Sequence, residues 1–182
     1  MNELAAFDSH LINATDIDTV ERLMILRREI ELSESKKAFQ ADFSRLQSVL
    51  PVIQKTGKAS FKSKSGGNIS YAYTKIDDIT EAVKPLLNQY GFAFVFRQKK
   101  IGEDIAVACV IMHVGGHRES SEFSAPSDRS GTKSPLQAMS STISYLKRIT
   151  FMSALGLSAS ESPARPLNPQ PEHYSDARFK TY

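Results

Sequence analysis

Three residues at regular spacing raise the question of metal chemistry. Cys109, His113 and His117 recur every four positions, and their side chains are of the types that bind zinc. They fall, however, in and just after the apolar run Ala106–Met112, which reads as a strand, and four residues of strand span roughly 13 Å. Cys109 and His113 therefore cannot meet at one ion, and His117 lies across a turn. Glu119, Glu122 and Asp128 could hold a divalent ion near a phosphate, but read more simply as solvated acids of a strand and a loop. The many serines, with His113 or His117 and Asp128, supply the residue types of a hydrolytic triad, yet no G-x-S-x-G elbow accompanies them. Neither G-x-G-x-x-G nor G-x-x-x-x-G-K-[ST] occurs, which removes dinucleotide and P-loop nucleotide binding. The expectation is a protein that is not an enzyme, with no cofactor and no metal.

The positive case rests on lysines beside aromatics. Lys55, Lys58, Lys62, Lys64 and Lys75 occupy a stretch without a single acid, the densest run of one sign in the chain and a match for a polyanion. The same lysines could merely keep a hairpin edge soluble. Single-stranded nucleic acid is held by a basic groove that tracks phosphates and by rings that stack on bases. Ala59, Phe61, Ile69, Tyr71 and Tyr73 share one strand parity, while Lys58, Ser60, Lys62, Lys64, Ser70 and Ala72 share the other. That parity assigns the tyrosines first to a core, with base stacking by Tyr73 as the alternative.

A second candidate surface lies near the C-terminal end of the sequence. Leu136, Met139, Ile143 and Leu146 form an apolar seam at helical spacing, and Gln137, Ser141, Ser144 and Arg148 form a separate polar stripe flanked by Tyr145 and Lys147. The stripe carries no acid, and its serines leave room for a phosphate backbone or another subunit. Lys147, Arg148, Ser141, Ser144 and Tyr145 thus join the five lysines and Tyr73 as candidate DNA contacts.

These residues must be positioned by a chain of 182 residues, 41% hydrophobic and 24% charged, enough for one core domain but not for a two-domain enzyme. The longest apolar run is far short of the roughly 20 residues a membrane helix needs, and the first residues show no secretion signal, so a cytoplasmic protein without membrane association is expected. The lone Cys109 excludes an internal disulfide framework. Residues 1–34 hold eight acids against three arginines, a net of −5, so the remainder of a chain of net charge +3 carries +8.

Residues 16–50 read as one long helix or two in line, capped by Thr15 or Asp16 and ended by Pro51; Phe39, Phe43, Leu46 and Leu50 lie on one face. Residues 58–64 and 68–74 form a β-hairpin around Ser65-Gly66-Gly67. Thr74 is read as the cap of a helix through Tyr90 that Pro85 should kink or split, followed by strands over 92–98, 104–113 and 117–124 in an antiparallel meander. Ser134, Pro135 and Gln137 supply the cap, first position and third position of a final helix that Gly156 closes. The fold class is α+β, in the order α-ββ-α-βββ-α, with helices packed on a mostly antiparallel sheet. The division expected is an acidic helical segment over 1–37, a core domain over 38–157 and a flexible Pro-containing tail over 158–182.

In that order, the segments AFQADFSRLQSVLPVIQK (38–55), YAYTKIDDITEAVKPLLNQYGF (71–92) and QAMSSTISYLKRITFMSALGL (137–157) resemble the Erf family of phage recombinases, the essential recombination function proteins. The last segment departs from the family pattern at Ser140, where glycine is usual, and at Ile149, where an aromatic is usual, which leaves Arg148 as the carried-over basic residue. The resemblance implies a fold similar to the eukaryotic single-strand annealing proteins and an ATP-independent annealing activity in homologous recombination. It also implies a homo-oligomer, ring or filament, with single-stranded DNA in a positively charged groove. A phage exonuclease or a host single-strand-binding protein is the class of further partner, with Arg165, Arg178, Phe179 and Lys180 of the tail available for docking or auxiliary DNA contact. Two other readings remain: an RNA or single-strand nucleic-acid binding module without annealing activity, and an oligomeric structural phage protein whose lysines only solubilise it.

Overall fold

Asp16 starts the first helix by accepting the Thr19 backbone N–H on its carboxylate, 3.3 Å away. The computed structural model describes residues 16–62, 68–128 and 132–160; the segment 1–15, the hairpin tip with Lys64 and the chain beyond Ser160 lie outside the described residues. Helix α1, Ile17–Val49, is a single element of 33 residues, about 50 Å at 1.5 Å per residue. It ends because Leu50 is extended ahead of Pro51. Its C-terminal half anchors it: Phe39 and Leu46 are buried, whereas none of residues 16–38 is. The helix passes residues 37 and 38 without a break.

Two strand residues follow, β1 (Ile53–Gln54), then the hairpin β2 (Gly57–Lys62) and β3 (Asn68–Tyr73). Their register, Gly57 opposite Tyr73 and Ala59 opposite Tyr71, agrees with the side-chain parity read from the sequence. Helix α2, Ile76–Gln89, buries Ile79, Val83 and Leu87. Two expectations for it are corrected. Lys75 rather than Thr74 is the flanking residue, with no side-chain cap, and Thr74 is buried beneath. Pro85 does not split the helix, which continues through it to Gln89.

Strands β4 (Phe92–Ile101), β5 (Asp104–His113) and β6 (Arg118–Pro126) form an antiparallel sheet in that order. On one face Phe92, Phe94 and Phe96 lie beside His113, Ile111 and Cys109, and this face meets the helices: Phe94 stacks on Phe151 at 4.3 Å between centroids. Helix α3, Pro135–Leu155, begins with the reciprocal cap of Ser134 and Gln137 and ends at Gly156, whose φ of 66° a residue with a Cβ rarely adopts. The core gathers Phe39 and Leu46 of α1, the three apolar residues of α2, the phenylalanine face of the sheet, and Phe151 and Leu155 of α3.

The seam expected on α3 is corrected. Of its four residues only Leu146 is fully buried; Leu136 is 67% exposed and Met139 40%. The buried face is instead Ala138, Thr142, Leu146, Thr150, Phe151 and Leu155. The threonines sit inside because each hydroxyl donates back to the helix, Thr142 to Ala138 O at 3.2 Å and Thr150 to Leu146 O at 2.8 Å, so neither hydroxyl is left without a partner. After Gly156 the chain reaches β7 (Ala159–Ser160), which pairs in parallel with β1.

Candidate nucleic-acid interface

The hairpin forms its own two-stranded sheet rather than extending the main one, and this decides what its tyrosines do. With no second layer under the whole ribbon, Tyr71 is 50% exposed, a correction to its assignment to the core. Tyr73 is partly covered, and its ring lies against Gly57 across the ladder: a Cβ at that glycine would stand 2.7 Å from ring atoms. The absent side chain makes room for the ring.

Arg148 of α3 completes the arrangement. Its guanidinium carbon lies 4.9 Å from the Tyr73 centroid and 5.1 Å from that of Tyr145, within the range of cation–π attraction. Its Nη1 donates to the Thr74 carbonyl at 3.4 Å. Tyr71 and Tyr73 are 6.2 Å apart, so Tyr71, Tyr73, Arg148 and Tyr145 run as a continuous row of planar groups. Among the described residues no carboxylate pairs with Arg148. A guanidinium carries five N–H donors, and only one is used here. The guanidinium is thus held between two rings with donors to spare among the described residues.

The sequence candidates divide around this row. Lys75 is exposed and follows Thr74 directly. Ser144 is exposed, one turn before Arg148 on the same helix. Lys147 is turned toward the sheet, its Nζ 5.6 Å from the Phe96 ring. Ser141 is engaged elsewhere, donating to Asp128 at 2.8 Å, while Lys133 also binds Asp128; with Thr142 accepting the Asp128 N–H at 2.8 Å, this fastens the loop after β6 to α3. Lys58 is exposed and pairs with Ala72, so it points to the side of the ribbon opposite Tyr71 and Tyr73. Lys62 closes the ladder opposite Asn68. Lys55 is half-buried, its backbone N–H bound to Ser160 O at 3.0 Å. Sequence reasoning left Tyr71 and the Thr74 carbonyl out of the site. The signal for Tyr71 was its hydroxyl, since tyrosine suits a surface with one wet end better than a core does.

The triad residues do not assemble. His113 is buried with Nε2 3.2 Å from Asp42 and Nδ1 accepting from the Gly115 N–H at 3.2 Å; His117 binds Glu119 at 2.8 Å. Burial pushes the Cys109 thiol up to about 12, the opposite of what a nucleophile needs. Among the described residues no group of three or more His, Cys, Asp or Glu could hold a metal ion, and no helix is long and apolar enough to cross a membrane.

A family model described as the ERF superfamily matches residues 39–173. The chain belongs to that superfamily. The ERF match starts at Phe39, the first buried residue of α1, and takes in the hairpin, Tyr73 and Arg148. ERF proteins are recombination and single-strand annealing proteins of phages. Neither the curated proteins nor the solved structures yield a match to this ERF chain.

Proposed function

We propose that this protein binds single-stranded DNA and anneals complementary strands without nucleotide hydrolysis, acting as a homo-oligomer, ring or filament. The observation that carries the reading is Arg148, a guanidinium between two tyrosine rings with four donors unused and no paired carboxylate among the described residues. In this reading Arg148 and Lys75 hold phosphates, and Ser144 lets the backbone approach α3. Tyr71 and Tyr145, each about half exposed, stack on bases, which is worth about 1–3 kcal/mol per base. Tyr73 holds the guanidinium in place. Lys58 adds a basic contact on the other side of the ribbon, Lys62 and Lys64 are further phosphate contacts in this reading, and Lys55, Lys147 and Ser141 contribute at the margins. Pairing is done by the DNA; the protein neutralises phosphates, keeps bases apart and presents two strands to one another.

The test is annealing of two labelled complementary oligonucleotides without ATP, alongside gel shifts with single-stranded DNA, duplex and RNA at two salt concentrations. Faster annealing by the wild type and a preference for single-stranded DNA are expected. Binding without acceleration of annealing would reduce the protein to a binding module, and an RNA preference would reassign its substrate.

A further inference from the structure

The apolar stripe that anchors α1 continues beyond the core. Ile25, Leu32, Phe39 and Leu46 recur every seven residues and so share one face of the helix. Phe39 and Leu46 are 4% and 0% exposed, whereas Ile25 and Leu32 stand at 59% and 58%. Met24 and Ile17, both more than half exposed, extend the same face. These four large apolar residues on one face have no partner among the described residues. The exposed part of the stripe lies ahead of the segment matched by the ERF model.

An apolar cleft of about 650 Å³ opens between the start of α3 and the β4–β5 turn. Ile105, Pro126, Met139 and Ile143 line it together with Lys100, Glu103 and Lys99, the last of which is bound to Glu122 at 3.0 Å. This is where the exposed part of the α3 seam faces. The helix is acidic where the chain after residue 34 carries +8: residues 16–34 hold six acids and three arginines, and Arg27 is already bound to Glu31 at 3.0 Å. Because α1 is one unbroken helix, its first half cannot fold back onto the cleft of its own chain. Pairing with the same helix of another copy would set like charges side by side.

We propose that the first half of α1 seats its Ile17, Met24, Ile25 and Leu32 face in the Met139–Ile143 cleft of a second copy of this chain. The inference rests on the oligomeric reading above and names its contact. Donor and acceptor surfaces differ, so the interface is head to tail: each added copy leaves one helix and one cleft open, and the series closes into a ring or extends as a filament according to its rotation.

The test is cross-linking with a short bismaleimide, using full-length protein carrying Ile25→Cys, Met139→Cys, or both. Native Cys109 is buried with its thiol pushed up to about 12 and stays silent. The double variant should give a ladder of covalent multimers on a denaturing gel, and each single variant should remain monomeric. A dimer from Ile25→Cys alone would show α1 pairing with itself, and monomers from all three would place the interface elsewhere; either result overturns the proposal. In parallel, Leu32→Asp should bring the mean mass from light scattering toward the 20.2 kDa monomer while the circular dichroism spectrum stays that of the folded chain, since Leu32 lies outside the core. An unchanged mass would also overturn the proposal. Single-strand gel shifts on the same samples separate the two readings: DNA binding without a ladder removes this interface alone, and a ladder without DNA binding removes the annealing function alone.

Discussion

Replacing Arg148 with alanine separates a DNA-contacting residue from a structural one. In the free protein the guanidinium has two ring contacts, at 4.9 and 5.1 Å, and one long hydrogen bond to Thr74 O at 3.4 Å. Each ring contact at a partly exposed site is worth about 0.5–1 kcal/mol, and the long bond adds little. The loss of stability should therefore be about 1–2 kcal/mol, or about 2–8 °C in a chain of this length. A charge-assisted bond to a phosphate is worth about 1.5–3 kcal/mol, so single-strand affinity should fall by about 10- to 100-fold. The dependence of log K on log salt should flatten by about 0.7, one phosphate released. Arg148→Lys should keep that slope while losing the planar fork and so bind with intermediate affinity. Leu146→Ala, at a fully buried position of the same helix, should cost about 2–5 kcal/mol of stability with the slope unchanged. Thermal melts and fluorescence anisotropy at three salt concentrations decide the matter. If Arg148→Ala melts more than about 10 °C early while its folded fraction binds with wild-type affinity and slope, Arg148 is structural and the groove lies elsewhere.

Gly57→Ala places a methyl 2.7 Å from the Tyr73 ring; the ring must shift, with a cost of about 1–3 kcal/mol and a several-fold loss of single-strand affinity measured on folded protein, and unchanged affinity would sever Tyr73 from the site. A chain ending after Leu157 should melt several degrees below one ending after Ser160, because it loses the bonds of Ile53 N to Ser158 O and Lys55 N to Ser160 O, each 3.0 Å, worth about 0.5–1.5 kcal/mol apiece; equal melting temperatures would make that pair marginal. Burial raises the Cys109 thiol from 9.0 to about 12, so the folded state keeps the proton that the unfolded chain gives up. Stability should be intact below pH 9 and fall as pH climbs toward 12, more steeply in the wild type than in Cys109→Ala, with identical denaturation profiles refuting the assignment.

What was legible in the sequence was local. Ser134 and Gln137 announce the start of α3 because a reciprocal cap needs only residues three apart, and the pairing of two short alternating segments into a hairpin follows from the Ser-Gly-Gly between them. The parallel pair of β1 and β7 was not legible, since two residues at each end carry no periodicity and their partners lie about a hundred positions away. Thr142 and Thr150 were left out of the α3 seam because only apolar residue types were counted toward it, whereas inside a helix the hydroxyl is satisfied by the preceding turn. For the candidate site, Tyr73 and Arg148 were both named from sequence, one from a basic hairpin and one from an acid-free stripe. That the ring holds the guanidinium, and that Gly57 makes space for the ring, follows from hairpin and helix meeting in space.

The short parallel pair also dictates an order of events during folding. Bringing Ile53 to Ala159 closes a loop of about a hundred residues, whose entropic cost, growing as (3/2)RT ln n, is about 4 kcal/mol before any constant. Two backbone hydrogen bonds do not offset that. The strands can join only after the meander has formed and Leu155 has docked beside Leu46, which shortens the effective loop to the few residues around Gly156. On a growing chain the hairpin and meander can therefore form early, while β1 waits, unpaired, until residue 160 has left the ribosome.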